Sequence, residues 1–308
     1  MKRRSAIILS GLLTATILLV SGCGSNPGTD DKPTVAVSIL PQEYFVSRIS
    51  GDLFNINVMI PPGASPATYE PTPAQLTSLS RTNLYLKMGY TGFEMAWMEK
   101  LASANKTMTV VNTSEGVDLI TETTTHGEAH HPPGDHTKAE AHGHHHGGID
   151  PHTWLSPKNV KIIAQNIHDA LAAAYPENKV IFSENLMAFM HELDSLDKEI
   201  SNELKDLSSR SFFTYHPSLS YFARDYNLEQ HPLELGGKTP SAAHMKKMID
   251  TGKEEQIGVV FLQMQFDQKN AEVLAKEISA EIVQINPLDP EWYTQMLFIT
   301  EKLKENMQ

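Results

Sequence analysis

Short apolar runs alternate with amphipathic stretches along the first third of the chain. The run from Thr34 to Leu40 contains only apolar or small residues and predicts a buried strand. The stretch after it has apolar residues at helical spacing and predicts a helix. The same alternation predicts further strands at 55–60, 84–88 and 108–111, and helices at 43–49, 73–81 and 93–104. Thr72 is a candidate cap for the second of these helices. Strand–helix alternation at this spacing indicates a parallel sheet with helices on its faces.

Residues 177–207 carry the longest apolar stripe of the chain. Its apolar positions recur at helical spacing, and no glycine or proline interrupts them. A single helix over this stretch spans on the order of 45 Å at about 1.5 Å per residue. The alternative is two shorter helices with a kink near residues 194–197.

The strand–helix pattern returns after this stripe. Strands are predicted at 211–215, 258–263 and 281–285, and helices at 158–175, 219–226, 240–255, 270–279 and 291–305. The predicted fold class is therefore α/β, with two lobes joined by one long rigid helix. Each lobe is a mostly parallel sheet with flanking helices. The predicted boundaries are 33–175 for the first lobe, 176–208 for the linking helix and 209–308 for the second lobe.

The amino terminus has the pattern of an export signal. Residues 2–4 are basic, and residues 6–20 form an apolar run shorter than the about 20 residues that a membrane span needs. The run leads to Cys23, the only cysteine, in a context that resembles a bacterial lipobox. We therefore expect residues 1–22 to be a lipoprotein signal peptide, Cys23 to be lipidated, and residues 23–32 to be a flexible tether. The alternative is a secretory signal with a chance cysteine at its end.

The net charge is acidic. It is −12 for the whole chain. Removing residues 1–22 takes away Lys2, Arg3 and Arg4 but no acidic residue, so the charge becomes −15. An acidic protein argues against nucleic acid as a partner and suits one that handles cations.

Histidines are concentrated in one polar segment. Residues 121–148 have almost no large apolar side chains and predict a long surface loop. A histidine-rich tract is typical of metal binding, although such an insert can also bind nothing in particular. Eight of the fourteen histidines lie here, and they are His126, His130, His131, His136, His142, His144, His145 and His146.

Three further candidate ligands lie at predicted strand ends or turns. His216 follows a strand directly, Asp289 lies just beyond the last strand, and His152 sits in a proline-bounded turn. Ligands of open α/β sheets bind beyond the carboxyl ends of the strands. Two imidazoles and a carboxylate suit Zn²⁺ or Mn²⁺. Each residue also has a purely structural interpretation, as a helix-entry residue, a strand-end hydrogen-bonding group or a turn former.

Several motifs resemble those of the substrate-binding lipoproteins of zinc and manganese ABC importers, the cluster A-I family. The likeness runs through the whole mature chain. The motifs are Pro61-Pro62-Gly63-Ala64-Ser65-Pro66, Tyr69-Glu70-Pro71-Thr72, residues 150–157, Tyr215-His216-Pro217-Ser218 with Tyr221-Phe222, and Asn286-Pro287-Leu288. The histidine-rich loop is a feature of the zinc branch.

The resemblance implies a function and a ligand set. His152 and His216 match two metal ligands, and a histidine at 216 is associated with zinc rather than manganese. Asp289 is the best match for the carboxylate ligand, with Asn286 only three residues away. The implied protein is an extracytoplasmic, lipid-anchored monomer that delivers Zn²⁺, less readily Mn²⁺, to an ABC permease in the membrane.

One position departs from the family pattern. The family has a histidine ligand in the motif Ser-Pro-His-x-Tyr/Phe-Glu-Pro, and here the residue is Ala67. Three outcomes are open. Three protein ligands and a water bind the metal, or Glu70 or a histidine of residues 126–146 fills the gap, or tight binding has been lost.

Two other classes of function compete with transport. Three protein ligands plus water is also the layout of a catalytic zinc site. However, the chain has no H-E-x-x-H or G-x-S-x-G motif, so we expect no enzyme. The stronger alternative is a metal-buffering or adhesin-like surface lipoprotein that has lost tight binding in the pocket.

Overall fold

The computed structural model describes residues 32–121 and 148–308, so residues 1–31 and most of the histidine-rich segment lie outside it. The first sheet has four parallel strands in the order β2-β1-β3-β4. The strands are β1 (Thr34–Val37), β2 (Asn55–Val58), β3 (Leu84–Lys87) and β4 (Thr109–Asn112). The helices among and after them are α1 (Leu40–Ser50), α2 (Pro73–Ser78), α3 (Gly92–Ala104) and α4 (Pro157–Ala174).

The second sheet repeats this arrangement with the order β6-β5-β7-β8, again with every pair parallel. Its strands are β5 (Ser211–Thr214), β6 (Glu229–Pro232), β7 (Val259–Gln263) and β8 (Glu281–Ile285). The remaining helices are α5 (Lys179–Glu203), α6 (Ser220–Asp225), α7 (Ala242–Glu254), α8 (Gln268–Ile278) and α9 (Trp292–Asn306). Because parallel strands end at the same edge, each sheet gathers its strand-end loops on one side.

Helix α5 is a single unbroken helix of 25 residues, about 37 Å long. One face of it is buried, formed by Phe182, Leu186, Phe189, Leu193, Leu196 and Ile200. The helix packs against α1 and α4, which precede it in the chain, and against α9, the last helix of the chain. Two parallel sheets joined by one long helix confirm the predicted fold class. The kinked alternative was wrong.

Several helix starts follow from local sequence. The Thr72 side chain accepts a hydrogen bond from Gln75 N–H, and Pro73 opens α2, as the sequence predicted. Ser156 caps α4 in the same way, with Pro157 at its first position. Helix α7 begins later than predicted because Ser241, and not Thr239, caps it.

Strand β6 was not predicted from the sequence. Its residues, Glu229 to Pro232, are polar or proline and show no apolar alternation. The segment is a strand because it lies at the sheet edge and pairs with the buried strand β5 on one side only. Within the described ranges, no helix is both long and apolar enough to cross a membrane.

Candidate metal site

The second sheet presents His216 at the carboxyl end of its strands. Strand β5 ends at Thr214, and His216 follows two residues later. Its backbone N–H donates to Gln263 Oε1 (3.2 Å), and Gln263 Nε2 donates to its carbonyl (2.8 Å). The Phe266 ring stacks on the imidazole with the ring centres 5.6 Å apart. These contacts fix His216 where open α/β sheets bind their ligands.

His152 reaches the same place from the loop that precedes α4. Trp154 anchors this loop, because its Nε1 donates to the Pro287 carbonyl (2.8 Å) and its carbonyl accepts from Trp292 Nε1 (2.8 Å). Both indole rings are buried. A loop from the first half of the chain is thereby fastened to the segment after β8, and it carries His152 up to His216.

The two imidazoles face each other through their Nε2 atoms. His152 Nε2 and His216 Nε2 are 3.3 Å apart, and the ring planes are inclined at 71°. Zinc binds imidazole nitrogen at about 2.0–2.1 Å, so two ligands at a tetrahedral angle stand about 3.3–3.4 Å apart. The pair therefore already has the separation that two ligands of one zinc ion require.

A buried carboxylate braces each imidazole from behind. Asp150 Oδ1 lies 2.8 Å from His152 Nδ1 and also accepts the His152 backbone N–H (2.9 Å). Glu234 Oε1 is hydrogen-bonded to His216 Nδ1. Asp150 and Glu234 are only 4 % and 5 % exposed. Carboxylate–histidine pairs of this kind orient metal-binding imidazoles and raise their basicity.

The carboxylates also decide the tautomer. With each Nδ1–H donating to a carboxylate, both Nε2 atoms carry a lone pair. Two lone pairs at 3.3 Å repel each other, and a cation between them removes that repulsion. The arrangement is thus suited to bind a positive charge between the two imidazoles.

Asp150 is held in its ionised form. Burial raises the pKa of its carboxyl, but the electrostatic interaction with the His152 N–H groups and the hydrogen bonds from them outweigh burial, and the pKa lies below its ordinary value. The Tyr221 hydroxyl supports the same loop by donating to the Asp150 carbonyl (2.8 Å). Burial raises the pKa of Tyr221 to about 12, so this donor stays protonated at neutral pH.

The bracing residues were missed by sequence reasoning. Asp150 stands inside the motif that suggested His152, so a search for a carboxylate beside each histidine finds it. Glu234 and Gln263 are 18 and 47 residues from His216 and follow or end other strands. No local sequence pattern connects Glu234 or Gln263 with His216.

Asp289 is engaged within its own turn. Its Oδ1 accepts the Glu291 backbone N–H (2.9 Å), and its Oδ2 accepts from Asn286 Nδ2 (3.3 Å). In the part of the chain that the structure describes, a single trio of histidine, cysteine or acidic residues has its ligand atoms within 4.8 Å of one another, and it contains none of His152, His216 and Asp289. Asp289 is therefore not at ligand distance from both His152 and His216 here. Its role as a ligand stays a prediction.

The substituted position lies in the loop after β2. Ala67 is exposed, and so is Glu70. The loop is packed on the start of α3, where Phe93 N–H donates to the Pro66 carbonyl (2.7 Å). A Cβ at Gly92 would meet the Ala67 carbonyl at 2.7 Å, so glycine permits this approach. Of the predicted auxiliary ligands, the eight histidines between 126 and 146 lie outside the described residues.

Fold and site together define a class of protein. Two parallel α/β sheets joined by a long helix, with a pair of carboxylate-braced imidazoles at the strand ends, form a two-lobed ligand-binding protein whose site suits a cation. Residues 35–305 match the model of the family described as zinc-uptake complex component A, periplasmic (ZnuA). The chain therefore belongs to the ZnuA family.

Individual relatives agree with this assignment. The chain is 30 % identical over 295 residues to the zinc-binding lipoprotein AdcA of Streptococcus pneumoniae strain R6, covering 93 % of this chain and 56 % of that protein. It is 29 % identical to the high-affinity zinc uptake system protein ZnuA of Bacillus subtilis, over 91 % of this chain and 88 % of that one. The chain thus spans about half the length of the AdcA relatives.

A solved structure shows the same fold. A crystal structure of a ZnuA deletion mutant lacking residues 138–173 of its own numbering, with zinc bound, superposes with a TM-score of 0.79. Its sequence is 37 % identical, and the match covers 90 % of this chain and 99 % of that one.

Proposed function

We propose that this chain is an extracytoplasmic zinc-binding protein that delivers the ion to an ABC permease. The observation that carries the proposal is the His152–His216 pair. Its two Nε2 atoms are 3.3 Å apart, and each ring is braced at Nδ1 by a buried carboxylate. The family description and the names of the relatives, which refer to zinc binding and zinc uptake, support the same function.

The rest of the coordination shell comes from outside the pair. Asp289 supplies a carboxylate once its turn releases it, since among the described residues only the Asn286 side chain and the Glu291 backbone hydrogen-bond to its side chain. Zinc sites take four ligands, so a water molecule or a histidine of residues 126–146 fills the position that Ala67 leaves open. Zn²⁺ is preferred to Mn²⁺ because both contributions from the pair are imidazole nitrogens.

Zinc titration of the mature protein tests the proposal. Wild type, H152A, H216A and D289A are compared by calorimetry with a competing chelator, and H191A serves as a control because His191 is exposed on α5. We expect H152A and H216A each to lower the zinc affinity by more than the about 10–100-fold that is typical when a residue supporting a metal ligand is changed. D289A should lower the zinc affinity less, and H191A should leave it unchanged. Full affinity in H152A and H216A would contradict a site at this pair.

Delivery is tested in cells. A strain lacking this protein should grow poorly on chelator-depleted medium and recover when wild type is restored, but not with H152A/H216A. Zinc binding by the purified protein without any growth effect would favour the second candidate function, a metal-buffering surface lipoprotein. The alanine at 67 is the observation that favours this alternative.

The membrane anchor belongs to the same proposal. We infer that Cys23 is lipidated after removal of residues 1–22, so that residues 23–32 tether the protein to the membrane. Labelling with a radioactive fatty acid should mark wild type and not C23S. An unlabelled wild type found in the medium would contradict the anchor and leave the zinc site unaffected.

A further inference from the structure

A second group of ligand atoms lies at the other end of the second sheet. Glu229 and His231 are two residues apart on β6 and therefore share one face of that strand. Glu255 follows the end of α7, just before β7. Within the described ranges, this is the one trio whose ligand atoms all lie within 4.8 Å of one another. Strand pairing puts Glu229 level with Ser211, the first residue of β5, whereas His216 lies beyond the last.

The atoms that meet here are an imidazole nitrogen and two carboxylate oxygens. His231 Nε2 is 2.9 Å from Glu255 Oε2 and 3.8 Å from Glu229 Oε1. Two ligands of one tetrahedral zinc ion stand about 3.3 Å apart, so the two separations bracket the required one. Small side-chain rotations suffice to place all three atoms at bonding distance from a common ion.

The His231 side chain and the Glu255 backbone are held in place by neighbouring residues. The His231 ring packs 5.7 Å from the ring of Phe213, which is fully buried on β5. The Glu255 backbone is fixed at both ends, because its N–H donates to the Thr251 carbonyl (2.9 Å) and its carbonyl accepts from Ser209 Oγ (3.3 Å). The side-chain exposures of His231, Glu255 and Glu229 are 18 %, 35 % and 68 %, so the trio opens to solvent.

The chemistry of this trio matches a borderline divalent cation. Two carboxylates carry two negative charges, and an imidazole favours zinc over calcium or magnesium. We propose that Glu229, His231 and Glu255 form a second zinc-binding site, separate from the His152–His216 pair. A bound ion takes the place of the proton shared between His231 and Glu255, and water completes its shell. The alternative without metal is a surface ion pair between His231 and Glu255.

Zinc stoichiometry tests this site in the mature protein. Wild type, H231Q and the control H191Q are dialysed against buffered free zinc, and the bound metal is counted. H231Q should lose one zinc equivalent per chain, whereas H191Q should lose none. The histidine-rich segment is unchanged in all three proteins, so its contribution cancels. E229Q, a conservative change of an exposed side chain, should weaken binding of the same zinc ion. It provides a second test of the site if H231Q has a folding defect.

A crystal grown with zinc locates the ion. Anomalous scattering at the zinc edge should give a peak about 2.0–2.2 Å from His231 Nε2 and from one oxygen each of Glu229 and Glu255. A peak there together with the lost equivalent supports the site. A peak without the loss in solution means binding at crystal concentration only, and no peak means an ion pair only. Either of these results overturns the proposal. Neither depends on the His152–His216 site, which H231Q leaves intact.

Discussion

The imidazole pair of His152 and His216 owes its geometry to neighbouring residues outside the pair. Asp150 and Glu234 orient the rings, and Gln263 holds the His216 backbone by two hydrogen bonds. A histidine on a mobile turn has to lose rotamer freedom when it binds metal. These hydrogen bonds restrict the rings before metal binds. For the same reason, residues that hydrogen-bond to metal ligands contribute strongly to metal affinity.

Neutralising either brace should weaken zinc binding. D150N and E234Q keep the shape of each side chain but remove the charge that favours the Nδ1–H tautomer. We expect each to lower zinc affinity by about 10–100-fold. D169N is the matched control, because Asp169 Oδ1 lies 2.8 Å from His168 Nδ1 in a similar pair on α4. Calorimetry with a competing chelator measures the effect, and equal losses in D150N and D169N would contradict it.

Restoring a histidine at position 67 should tighten the site. Ala67 is exposed, and its loop is held by Phe93 N–H on the Pro66 carbonyl, so A67H needs little rearrangement. A gain of about tenfold or more, equivalent to about 1.4 kcal/mol, is expected. The gain should be larger without residues 121–148, which can then supply no substitute ligand. Calorimetry on the four proteins of this double cycle decides it. No gain in either background would mean that residue 67 does not face the metal.

Junctions between elements use buried polar groups as well as apolar packing. Glu94, near the start of α3, accepts the backbone N–H groups of Met88 and Gly89 at 2.6 Å each and is hydrogen-bonded to Ser38. It thereby ties the end of β3 to the first turn of α3. Burial raises the pKa of its carboxyl in spite of the hydrogen bonds from Ser38 and from the two backbone groups.

The buried Glu94 should leave a signature in the pH dependence of stability. A carboxyl with a raised folded pKa contributes stability that is present below its unfolded pKa and is lost as pH rises through the folded value. E94Q cannot accept from both backbone N–H groups and should cost about 1–3 kcal/mol. The difference in unfolding free energy between wild type and E94Q should shrink as pH rises from about 4, near the ordinary carboxyl pKa. Urea unfolding measured along that pH series checks it, and a pH-independent difference would contradict it.

Helix α5 derives its stability from one buried face. Leu193 is fully buried on that face, whereas Met187 on the same helix is 61 % exposed. L193A should destabilise the protein by about 2–5 kcal/mol, because it leaves a cavity between α5 and its neighbours. M187A should change stability by about 0.5 kcal/mol or less. Urea unfolding distinguishes the two variants, and similar effects would mean that α5 is not packed as described.

The proposed zinc site brings together parts of the chain that are far apart in sequence. His152 precedes α4, and His216 follows β5 on the other side of α5. The Trp154–Pro287 and Trp292–Trp154 hydrogen bonds already fasten these regions together. A cation shared by both imidazoles would add one more link and would favour the folded chain over the unfolded one.

Zinc should therefore raise the melting temperature of the whole molecule. At a zinc concentration about 100 times the dissociation constant, the added stability is about 2.7 kcal/mol. Wild type should show the shift in a calorimetric scan, and H152A/H216A should show little of it. Lowering the pH below about 6 should reduce the shift, because protonated imidazoles compete with the metal. A full shift in H152A/H216A would place the stabilising zinc elsewhere.

The histidine-rich segment should act as a separate, weaker metal reservoir. Deleting residues 121–148 should remove several weak zinc equivalents and leave the equivalent bound by His152 and His216. The expectation rests on composition, because the segment offers eight imidazoles and almost no apolar side chains to bury. Calorimetry on wild type and the deletion variant measures the stoichiometry. An unchanged zinc count would show that the segment is not a metal tract.

Apolar periodicity by itself determined most of the architecture. The α/β class, the two parallel sheets and the single long helix were predictable, because burial enforces a period of 2 or 3.6 on apolar side chains. His152 and His216 were also identifiable, since strand ends and proline-bounded turns are where such sheets place ligands. Strand β6 was not predicted, because a polar edge strand takes its conformation from its neighbour β5 and not from its own pattern.

Only the tertiary structure decided what surrounds each candidate. Glu234 braces His216 from 18 residues away, the Trp154 indole is fastened to the segment after β8, and Asp289 is bound within its own turn. Glu255 likewise meets His231 from another element. A hydrogen bond between strand-end loops depends on the strand order and on the orientation of individual side chains. Neither leaves a periodic trace in the sequence, because burial constrains which face a residue occupies and not which polar partner it meets there.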